Sequence, residues 1–396
     1  MLGRFGTMAA VPTPPESSRS RRWASTMRGF RAGTHVTLAH ATSSARIEPA
    51  HESAGSTLGI DRARREDREG ATLAIGATRA LGAGTRRRDE AADPWRTCFE
   101  RDRDRILHSS SFRRLAGKTQ VFIFPADHQR TRLSHALEVA QVAGGIARAV
   151  GLNVALAEAI ALGHDCGHGP GGHASEDALD PFVEGGFDHA PWGADVSLSS
   201  LNLCVETLDG IANHSWSRPA PTTPEGEVVS WADRIGYVCH DFEDAVSTQI
   251  VTPDQLPAIV VERCGTRRGE QLGAFIDAMV ATVLATGTIG MDAQHAEALA
   301  AFREFNYERI YLRDESVTQG EAVVAVLRSL VEHFAAHPDE IPERADVHGA
   351  ADDPRDGDPV FGAVRYVAGM TDRYAFRTAV SVLGYETSRL PKGVDR

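Results

Sequence analysis

The chain has 396 residues, 42% of them hydrophobic and 24% charged, which is typical of a globular protein with one large core or two domains. Its formal net charge of −12 at neutral pH repels polyanions, so a general nucleic-acid-binding role is disfavoured, and an anionic substrate needs a local cluster of Arg and Lys. The five cysteines are scattered without a CxxC pair, and no apolar run approaches the roughly 18 residues that span a bilayer. We therefore expect a cytoplasmic protein that contacts no membrane.

The first 88 residues are rich in Arg, Ser, Ala, Thr and Gly and lack sustained apolar periodicity. Such a segment buries too little apolar surface to offset the entropy lost on ordering, so we expect residues 1–88 to be disordered. The Arg- and Ser-rich, acid-poor opening is also typical of an organelle transit peptide. A misassigned start codon upstream of Met27 has the same appearance, and we favour this interpretation, in which the segment is a misannotated N-terminal extension.

Helical spacing dominates the ordered part, which we expect to span 93–396. Apolar residues recur at steps of three or four over 133–146, and Gly151 ends this helix. Asn153 is a suitable N-cap for the next helix, whose apolar face leads directly to an adjacent His-Asp pair. That polar pair therefore lies at a helix end.

Strand patterning is nearly absent downstream, and apolar residues again recur at helical spacing. Amphipathic segments predict six further helices: 201–211, 230–246, 273–284, 293–311, 320–336 and 362–382. An acidic loop with Gly and Pro, 346–358, separates the last two. We predict an all-α fold with a core at about 112–250 and a helical C-terminal part at about 270–396.

Two histidines and two aspartates are candidates for a metal centre. They are placed on three separate helices: His135 on the first, His164 and Asp165 at the end of the second, and Asp233 at the start of a third. Such a nitrogen and oxygen set suits a divalent cation such as Mn, Fe, Co, Ni or Mg, and four protein ligands on a six-coordinate ion leave positions for water and a phosphate oxygen. A single helical His is more often a packing or surface residue, so the specific signal is the combination in this order.

Five separated motifs occur in the order known from one family: FRRLAGKTQV at 112–121, RTRLSHALEV at 130–139, GHDCGHGPGGH at 163–173, ADRIGYVCHD at 232–241 and VAGMTDRYA at 367–375. Together with the four metal candidates, they resemble the HD-domain superfamily and, within it, the deoxyguanosine triphosphate triphosphohydrolase family of dNTP triphosphohydrolases. The resemblance implies an HD-domain helical bundle with additional C-terminal helices that binds a divalent metal cation. The third motif departs from the family, which has an aromatic residue where Gly171 stands.

Polar residues near the His-Asp pair are candidates for proton transfer. His173 and Glu176 are three residues apart, so on a helix they share a face and form a His/carboxylate pair. The resemblance implies that His168 contacts the phosphate next to the sugar, and that His173 with Glu176 activates water or protonates the leaving oxygen. His189 is a further candidate for proton transfer. The alternative is that 163–173 is a flexible surface loop with exposed histidines.

Candidate substrate contacts flank the metal set. Arg132 precedes His135 by three residues and therefore points to the same side, where a guanidinium clamps a phosphate. The resemblance implies five contacts: Gln120 near the sugar 3′-hydroxyl, Arg132 and Arg234 on the phosphates, Tyr237 near the deoxyribose, and Asp241 in the phosphate-binding network. Surface salt bridges, a solvated charged face and ordinary aromatic packing are the alternatives.

The leading hypothesis is metal-dependent hydrolysis of deoxynucleoside triphosphates, dGTP or several dNTPs, to deoxynucleoside and inorganic triphosphate. The alternatives are an HD-type 5′-nucleotidase, a signalling-nucleotide phosphohydrolase and a catalytically inactive nucleotide-sensing protein. The resemblance also implies a homo-oligomer with an allosteric nucleotide. Residue spacing does not select the preferred dNTP or the native metal.

Overall fold

The computed structural model describes five ranges of the chain: 29–32, 35–44, 60–123, 128–342 and 353–392. The chain divides into two compact units, Met1–Gly59 and Ile60–Arg396. In the first unit, β1 (Phe30–Ala32) and β2 (Val36–Leu38) pair as an antiparallel hairpin. The sequence predicted no element at this hairpin.

The described residues of the second unit form fifteen α-helices joined by short 3₁₀ and π turns, so the predicted all-α class is confirmed. Their bounds are as follows: α1 Arg62–Thr72, α2 Cys98–His108, α3 Ser110–Arg114, α4 Arg132–Val150, α5 Val154–Gly163, α6 Ala174–Leu179, α7 His189–Trp192, α8 Val205–Ala212, α9 Pro224–Ser247, α10 Ala258–Cys264, α11 Arg268–Thr286, α12 Ala293–Asn306, α13 Asp314–Ala336, α14 Pro359–Ala368 and α15 Asp372–Leu383. A π turn, Tyr307–Tyr311, continues α12.

Helices α4 and α5 form a hairpin in the larger of two hydrophobic cores. Gly151 ends α4 with a backbone φ of 76°, a left-handed conformation that glycine adopts without strain. The side chain of Asn153 accepts a hydrogen bond from the backbone N–H of Leu156 and caps α5. Both helix ends are as the sequence predicted. Seven of the ten α5 residues are buried, so this apolar helix carries His164 into the interior.

Helix α9 begins earlier than its predicted start at 230. Thr223 caps it by accepting a hydrogen bond from the backbone N–H of Gly226, and Pro224 fits the first turn, where its missing N–H costs nothing. The helix packs against α4 and α5. Asp233 of α9 therefore lies beside His135 of α4 and beside His164 at the end of α5.

Residues 60–88 were expected to be disordered, and they are structured instead. They contain α1, and Ala77 and Ala80 are buried in the larger core. Arg86 forms an ion pair with the buried Asp102 at 2.6 Å. The prediction was wrong for this segment because isolated contacts hold it, rather than a periodic apolar face. The rest of the predicted N-terminal extension falls largely outside the described residues.

Helices α13, α14 and α15 pack with α6 around the second hydrophobic core. The single helix predicted over 362–382 is in fact two, because α14 ends before Gly369 and Thr371 takes an extended conformation with ψ of 160°. This turn places Asp372 at the first position of α15. The acidic loop predicted at 346–358 lies partly outside the described residues.

All five cysteines are free thiols, and four of them are buried. Within the described ranges, no helix combines the length and the apolar composition that crossing a bilayer requires.

Candidate metal centre and active-site cavity

Four polar side chains meet in the interior of the second unit. Helix α4 supplies His135, the end of α5 supplies His164 followed by Asp165, and α9 supplies Asp233. The Nε2 atom of His135 lies 3.0 Å from Asp233 Oδ1 and 4.0 Å from Asp165 Oδ2. The Nε2 atom of His164 lies 3.5 Å from one oxygen of each carboxylate. The structure thus brings the four predicted metal ligands together.

This donor set fits a divalent cation. His164 Nδ1 donates a hydrogen bond to the carbonyl oxygen of Ala161, 2.6 Å away, which leaves the Nε2 lone pair facing the carboxylates. That Nε2 atom is buried without a hydrogen-bond partner in the described part of the chain. Burial lowers the pKa of His164, but Asp165 and Asp233 outweigh burial and raise it to about 9. The cluster therefore attracts positive charge, which a divalent cation would supply in place of that proton.

Both aspartates are held in the ionised state that a metal ligand needs. Burial raises the pKa of Asp165, but Arg132 and nearby imidazoles outweigh burial and hold the pKa well below its ordinary value. Burial also raises the pKa of Asp233, and His135 and His164 together hold it well below the ordinary range. The guanidinium of Arg132 donates to Asp165 Oδ2 at 2.8 Å, so it orients this carboxylate as well.

Two stacked imidazoles lie beside the metal set. His168 is buried, its Nε2 lies 3.2 Å from Asp165 Oδ1, and its ring stacks on that of His189 with centroids 3.7 Å apart. His189 Nδ1 donates to a carboxylate oxygen of Glu176, which is the arrangement of an acid or base with an orienting partner. Burial lowers the pKa of His168 well below its ordinary value, and the positive charge of Arg132 lowers it further. The His168 ring is therefore neutral at neutral pH as long as no anionic ligand is bound beside it.

His173 and Glu176 form the pair that their spacing predicted. His173 directly precedes α6, and its Nδ1 lies 3.5 Å from Glu176 Oε2. The side chain of His173 is 75% exposed, whereas Glu176 is 28% exposed and also contacts the buried His189. Burial raises the pKa of Glu176, but the hydrogen bonds of both histidines outweigh burial and hold the pKa far below its ordinary value. Glu176 is thus ionised and links an exposed imidazole to a buried one.

Two glycines let the loop between His168 and α6 approach its neighbours closely. Gly171 has a φ of 75° and Gly172 a φ of 64°. A Cβ on Gly171 would lie 2.5 Å from Val323 of α13, and one on Gly172 would lie 2.9 Å from the guanidinium of Arg132. Gly171, the position that departs from the resembled family, therefore accommodates Val323, and an aromatic side chain there would displace it.

His214, which the sequence did not point out, is a buried neighbour of both histidine groups. Its Nδ1 donates to the carbonyl oxygen of Ile211 at 2.8 Å, and its Nε2 lies 3.2 Å from Nε2 of His189. Its ring centroid is 5.0 Å from that of His164. Burial lowers the pKa of His214 to about 3, so at neutral pH its ring is neutral, with the proton on Nδ1 and a free lone pair on the Nε2 that faces His189. The sequence feature that could have identified His214 is its position just after the amphipathic segment 201–211.

A cavity of about 1050 Å³ opens beside the metal set. This volume is at the upper end of the roughly 300–1,000 Å³ that small-molecule sites occupy. Its lining includes every predicted substrate contact: Gln120, Arg132, Arg234, Tyr237 and Asp241. It also includes residues that the sequence did not point out, among them Arg303, Tyr307, Tyr311 and Arg328.

One wall of this cavity is cationic and aromatic. The guanidinium of Arg234 lies 3.4 Å from the centroid of the Trp216 ring. Arg303 donates to the hydroxyl oxygens of Tyr237 at 2.8 Å and Tyr307 at 3.1 Å. Within the described ranges, neither guanidinium forms an ion pair with a carboxylate, and the Nε atom of Arg234 is buried without a partner. Guanidinium groups in this state are suited to bind an anion.

Asp241 and Gln120 present buried oxygen atoms to the same cavity. The hydroxyl of Tyr311 donates to Asp241 Oδ2 at 2.5 Å, while Asp241 Oδ1 has no partner among the described residues. Burial raises the pKa of Asp241 to about 8, so the carboxyl group is protonated at neutral pH. The side-chain oxygen of Gln120 is likewise buried and unpaired. Unsatisfied polar atoms at a cavity indicate a polar ligand.

Two family models match the chain, and curated relatives align with most of it. An HD domain model matches residues 132–237, and a phosphohydrolase-associated domain model matches 289–380. A deoxyguanosinetriphosphate triphosphohydrolase-like protein from Caldanaerobacter subterraneus subsp. tengcongensis is 38% identical over 321 residues, which are 78% of this chain and 92% of that protein. A protein of the same name from Clostridium perfringens strain 13 is 38% identical over 312 residues, 73% of this chain and 87% of that protein.

Proposed function

Since the chain belongs to the HD-domain phosphohydrolase family, with relatives named deoxyguanosinetriphosphate triphosphohydrolase-like proteins, we propose that it hydrolyses deoxynucleoside triphosphates to deoxynucleoside and inorganic triphosphate. One observation carries this proposal. Four arginines line the cavity: Arg132 is buried, Arg234 and Arg303 are partly buried, and Arg328 is exposed to solvent. In a chain of net charge −12, several guanidinium groups around one cavity suit a triphosphate better than a monophosphate.

Four side chains would hold the divalent cation: His135, His164, Asp165 and Asp233. When bound, the cation would act as a Lewis acid on a phosphoryl oxygen and lower the pKa of water beside it. The mixed nitrogen and oxygen donors are compatible with Mn, Mg, Fe, Co or Ni.

Arg132 is the best candidate for the phosphate next to the metal set. One terminal nitrogen of Arg132 donates a hydrogen bond to Asp165. The Nε atom and the other terminal nitrogen of Arg132 are buried without partners among the described residues. These two donors form a planar fork that matches two oxygens of a phosphate. His168 has an unpaired, buried Nδ1 atom, and a phosphate beside it would favour the protonated ring. Arg234 and Arg303 would neutralise the remaining phosphate charge.

The leaving group needs a proton. Attack of water on the α-phosphorus breaks the bond to the sugar O5′, which would otherwise leave as an alkoxide. His173 lines the cavity and contacts Glu176, so it is the candidate for delivering this proton. His189 contacts the same carboxylate from the buried side and orients it. Nε2 of His214 lies 3.2 Å from Nε2 of His189, so His214 helps to keep the His189 ring in place.

The sugar would occupy the part of the cavity with unpaired oxygen atoms. A 3′-hydroxyl could donate to the side-chain oxygen of Gln120 or accept from the protonated free oxygen of Asp241, neither of which has a partner among the described residues. Tyr237, four residues before Asp241 on α9, also lines the cavity, and the hydroxyl of Tyr311 donates to the other oxygen of Asp241. Because Asp241 is protonated at neutral pH, it does not repel the triphosphate.

Product analysis tests this proposal. Protein supplied with Mn, Mg or Co is incubated with each dNTP and NTP in H₂¹⁸O, and the products are separated by ion-exchange chromatography. We expect deoxynucleoside and inorganic triphosphate in equal amounts, with the ¹⁸O in the triphosphate because water attacks the α-phosphorus. The His164→Ala protein serves as the inactive control. Orthophosphate as the product would instead support the 5′-nucleotidase or signalling-nucleotide alternatives, and tight dNTP binding without turnover would support a sensor.

A homo-oligomer and an allosteric nucleotide remain predictions. Size-exclusion chromatography with light scattering, with and without dNTPs, would test both.

A further inference from the structure

Two separate chain segments supply one side of the proposed substrate site. The first segment, 117–120, carries Gln120, and the second, 168–173, carries His168 and His173. The two segments are far apart in the chain, and no helix contains both of them. Their relative position must therefore be set by contacts between them or with other parts of the chain.

Asp372, the first residue of α15, contacts both segments. The residue is buried, with 4% of its surface exposed. Its Oδ2 atom accepts hydrogen bonds from the backbone N–H and the hydroxyl of Thr119, at 3.0 and 2.6 Å. Its Oδ1 atom accepts from the backbone N–H of Gly171 at 2.8 Å. One carboxylate thus joins the residue before Gln120 to the loop between His168 and His173.

Lys118 makes a second link between the same parts. Its buried ammonium donates to the carbonyl oxygen of His168 and to that of Ala368, the latter at 3.0 Å. Ala368 is the last residue of α14, so its carbonyl is one of the unpaired groups at the negative end of a helix, where a cation is favourable. Gly117 also packs closely here, because a Cβ on it would lie 2.9 Å from Thr371.

We propose that Asp372, assisted by Lys118, is a positioning residue that fixes Gln120 and the His168–His173 loop relative to each other, so that α14 and α15 set the geometry of the substrate site without touching the substrate. This inference rests on the proposed function. Neither Asp372 nor Lys118 lines the cavity. Their effect therefore passes through Gln120 and the histidine loop.

The apolar contacts of α14 and α15 argue that this polar link is not needed to hold the helices in place. Both helices already bury apolar side chains in the second core, among them Val364, Val367 and Phe376. A buried carboxylate in such a place must be compensated by hydrogen bonds, and the hydrogen bonds that the Asp372 side chain accepts from described residues go to the two segments of the site. The hydrogen bonds of the Asp372 side chain therefore hold those two segments in position.

Asp372→Asn is the direct test, because the amide has the same shape but only one oxygen to accept the three bonds. Amide hydrogen exchange in the free protein should become faster at Thr119 or at Gly171, because the one remaining oxygen can accept from only one of the two segments. This readout does not depend on catalysis. Asp358→Asn is the matched control, since Asp358 is an exposed cap of α14 that accepts from the backbone N–H of Val360 and contacts neither segment.

Turnover of a dNTP and of its 2′,3′-dideoxy analogue supplies the second readout. In Asp372→Asn, kcat should fall by about 10- to 100-fold, since displacement of reacting groups by roughly 1 Å has effects of this size. The preference for the substrate with a 3′-hydroxyl should shrink, because Gln120 is no longer held. With Gln120→Ala in addition, the two losses should combine to less than their product. Cation content should stay at the wild-type value.

Thr119→Val covers the case in which Asp372→Asn does not fold, because it removes only the hydroxyl bond to Asp372. Thr119→Val should show the same changes on a smaller scale. Thr119→Ser keeps the hydroxyl and should behave like the wild-type protein. Wild-type exchange rates, kcat and 3′-hydroxyl preference in a folded Asp372→Asn or Thr119→Val protein would overturn the inference. If the wild-type protein itself releases no triphosphate, the proposed function fails, and the exchange rates at Thr119 and Gly171 alone decide whether Asp372 holds the two segments.

Discussion

Asp241→Asn should change how the stability of the protein depends on pH. Asp241 is buried, one of its oxygens accepts from Tyr311, and the other has no partner among the described residues. Burial raises its pKa from 3.8 to about 8. An asparagine fills nearly the same space and does not titrate, so the two proteins differ mainly in this one proton equilibrium.

The size and sign of the effect follow from the two pKa values of Asp241. Because the folded pKa lies above the unfolded one, the protonated group stabilises the fold fully below about pH 4, and this contribution is lost as the pH rises through about 8. A shift of this size corresponds to about 6 kcal/mol in total, or about 1.4 kcal/mol per pH unit between the two values. The free energy of unfolding of Asp241→Asn, relative to wild type, should therefore rise by about 3 kcal/mol from pH 5 to pH 7.

Urea unfolding of both proteins without added cation at pH 5, 6, 7, 8 and 9 measures this difference, and groups common to both proteins cancel in it. Tyr311→Phe is a second arm. It removes a hydrogen bond that lowers the pKa of Asp241, so the wild-type slope should extend to higher pH. A difference between Asp241→Asn and wild type that stays constant with pH would refute the reasoning, because Asp241 would then be ionised throughout.

Three further predictions concern the metal centre, the phosphate contact and the glycine loop. Chelation with EDTA should lower the thermal unfolding midpoint of the wild-type protein, since a cation binds only the folded state, and should leave that of His164→Ala unchanged. Arg132→Lys keeps a positive charge beside Asp165 but loses the fork, so kcat/KM for a dNTP should fall by about 100-fold; a loss under threefold would contradict the clamp. Gly171→Ala should lower the free energy of unfolding by about 2–4 kcal/mol in urea melts, and adding Val323→Ala should recover only the steric part, because the positive φ remains.

The sequence was most informative where one local rule decides the structure. Gly151 and Asn153 end one helix and begin the next through their own backbone and side-chain hydrogen bonds, so their roles were predictable from residue type. The positions of the four metal candidates were predictable for a similar reason. Each lies at or beside a helix whose apolar face fixes its orientation, and those faces pack against one another in one core.

Other parts of the site depend on contacts between residues far apart in the chain. His214 and Arg303 reach the cavity because α8 and α12 pack beside α9, and nothing in their local spacing distinguishes them from ordinary helix residues. The N-terminal segment 60–88 was missed because a few scattered contacts hold it. The break between α14 and α15 at Gly369 was missed because apolar periodicity continues across it.

The distribution of ion pairs strengthens the case for a polyanionic ligand. The chain has 54 acidic and 42 basic residues, so carboxylates are in excess. Away from the cavity lining, Arg130 pairs with three of them at 2.6 to 2.9 Å. At the cavity, Arg132 pairs with one carboxylate, that of Asp165, which is also a proposed metal ligand. Arg234 and Arg303 pair with no carboxylate among the described residues. Arg234 and Arg303, partly buried and without counter-charges in the described part of an acidic protein, are suited to a ligand that supplies the charge. A ligand with several charges in a row, such as a triphosphate, would also reach the two unpartnered donors of Arg132.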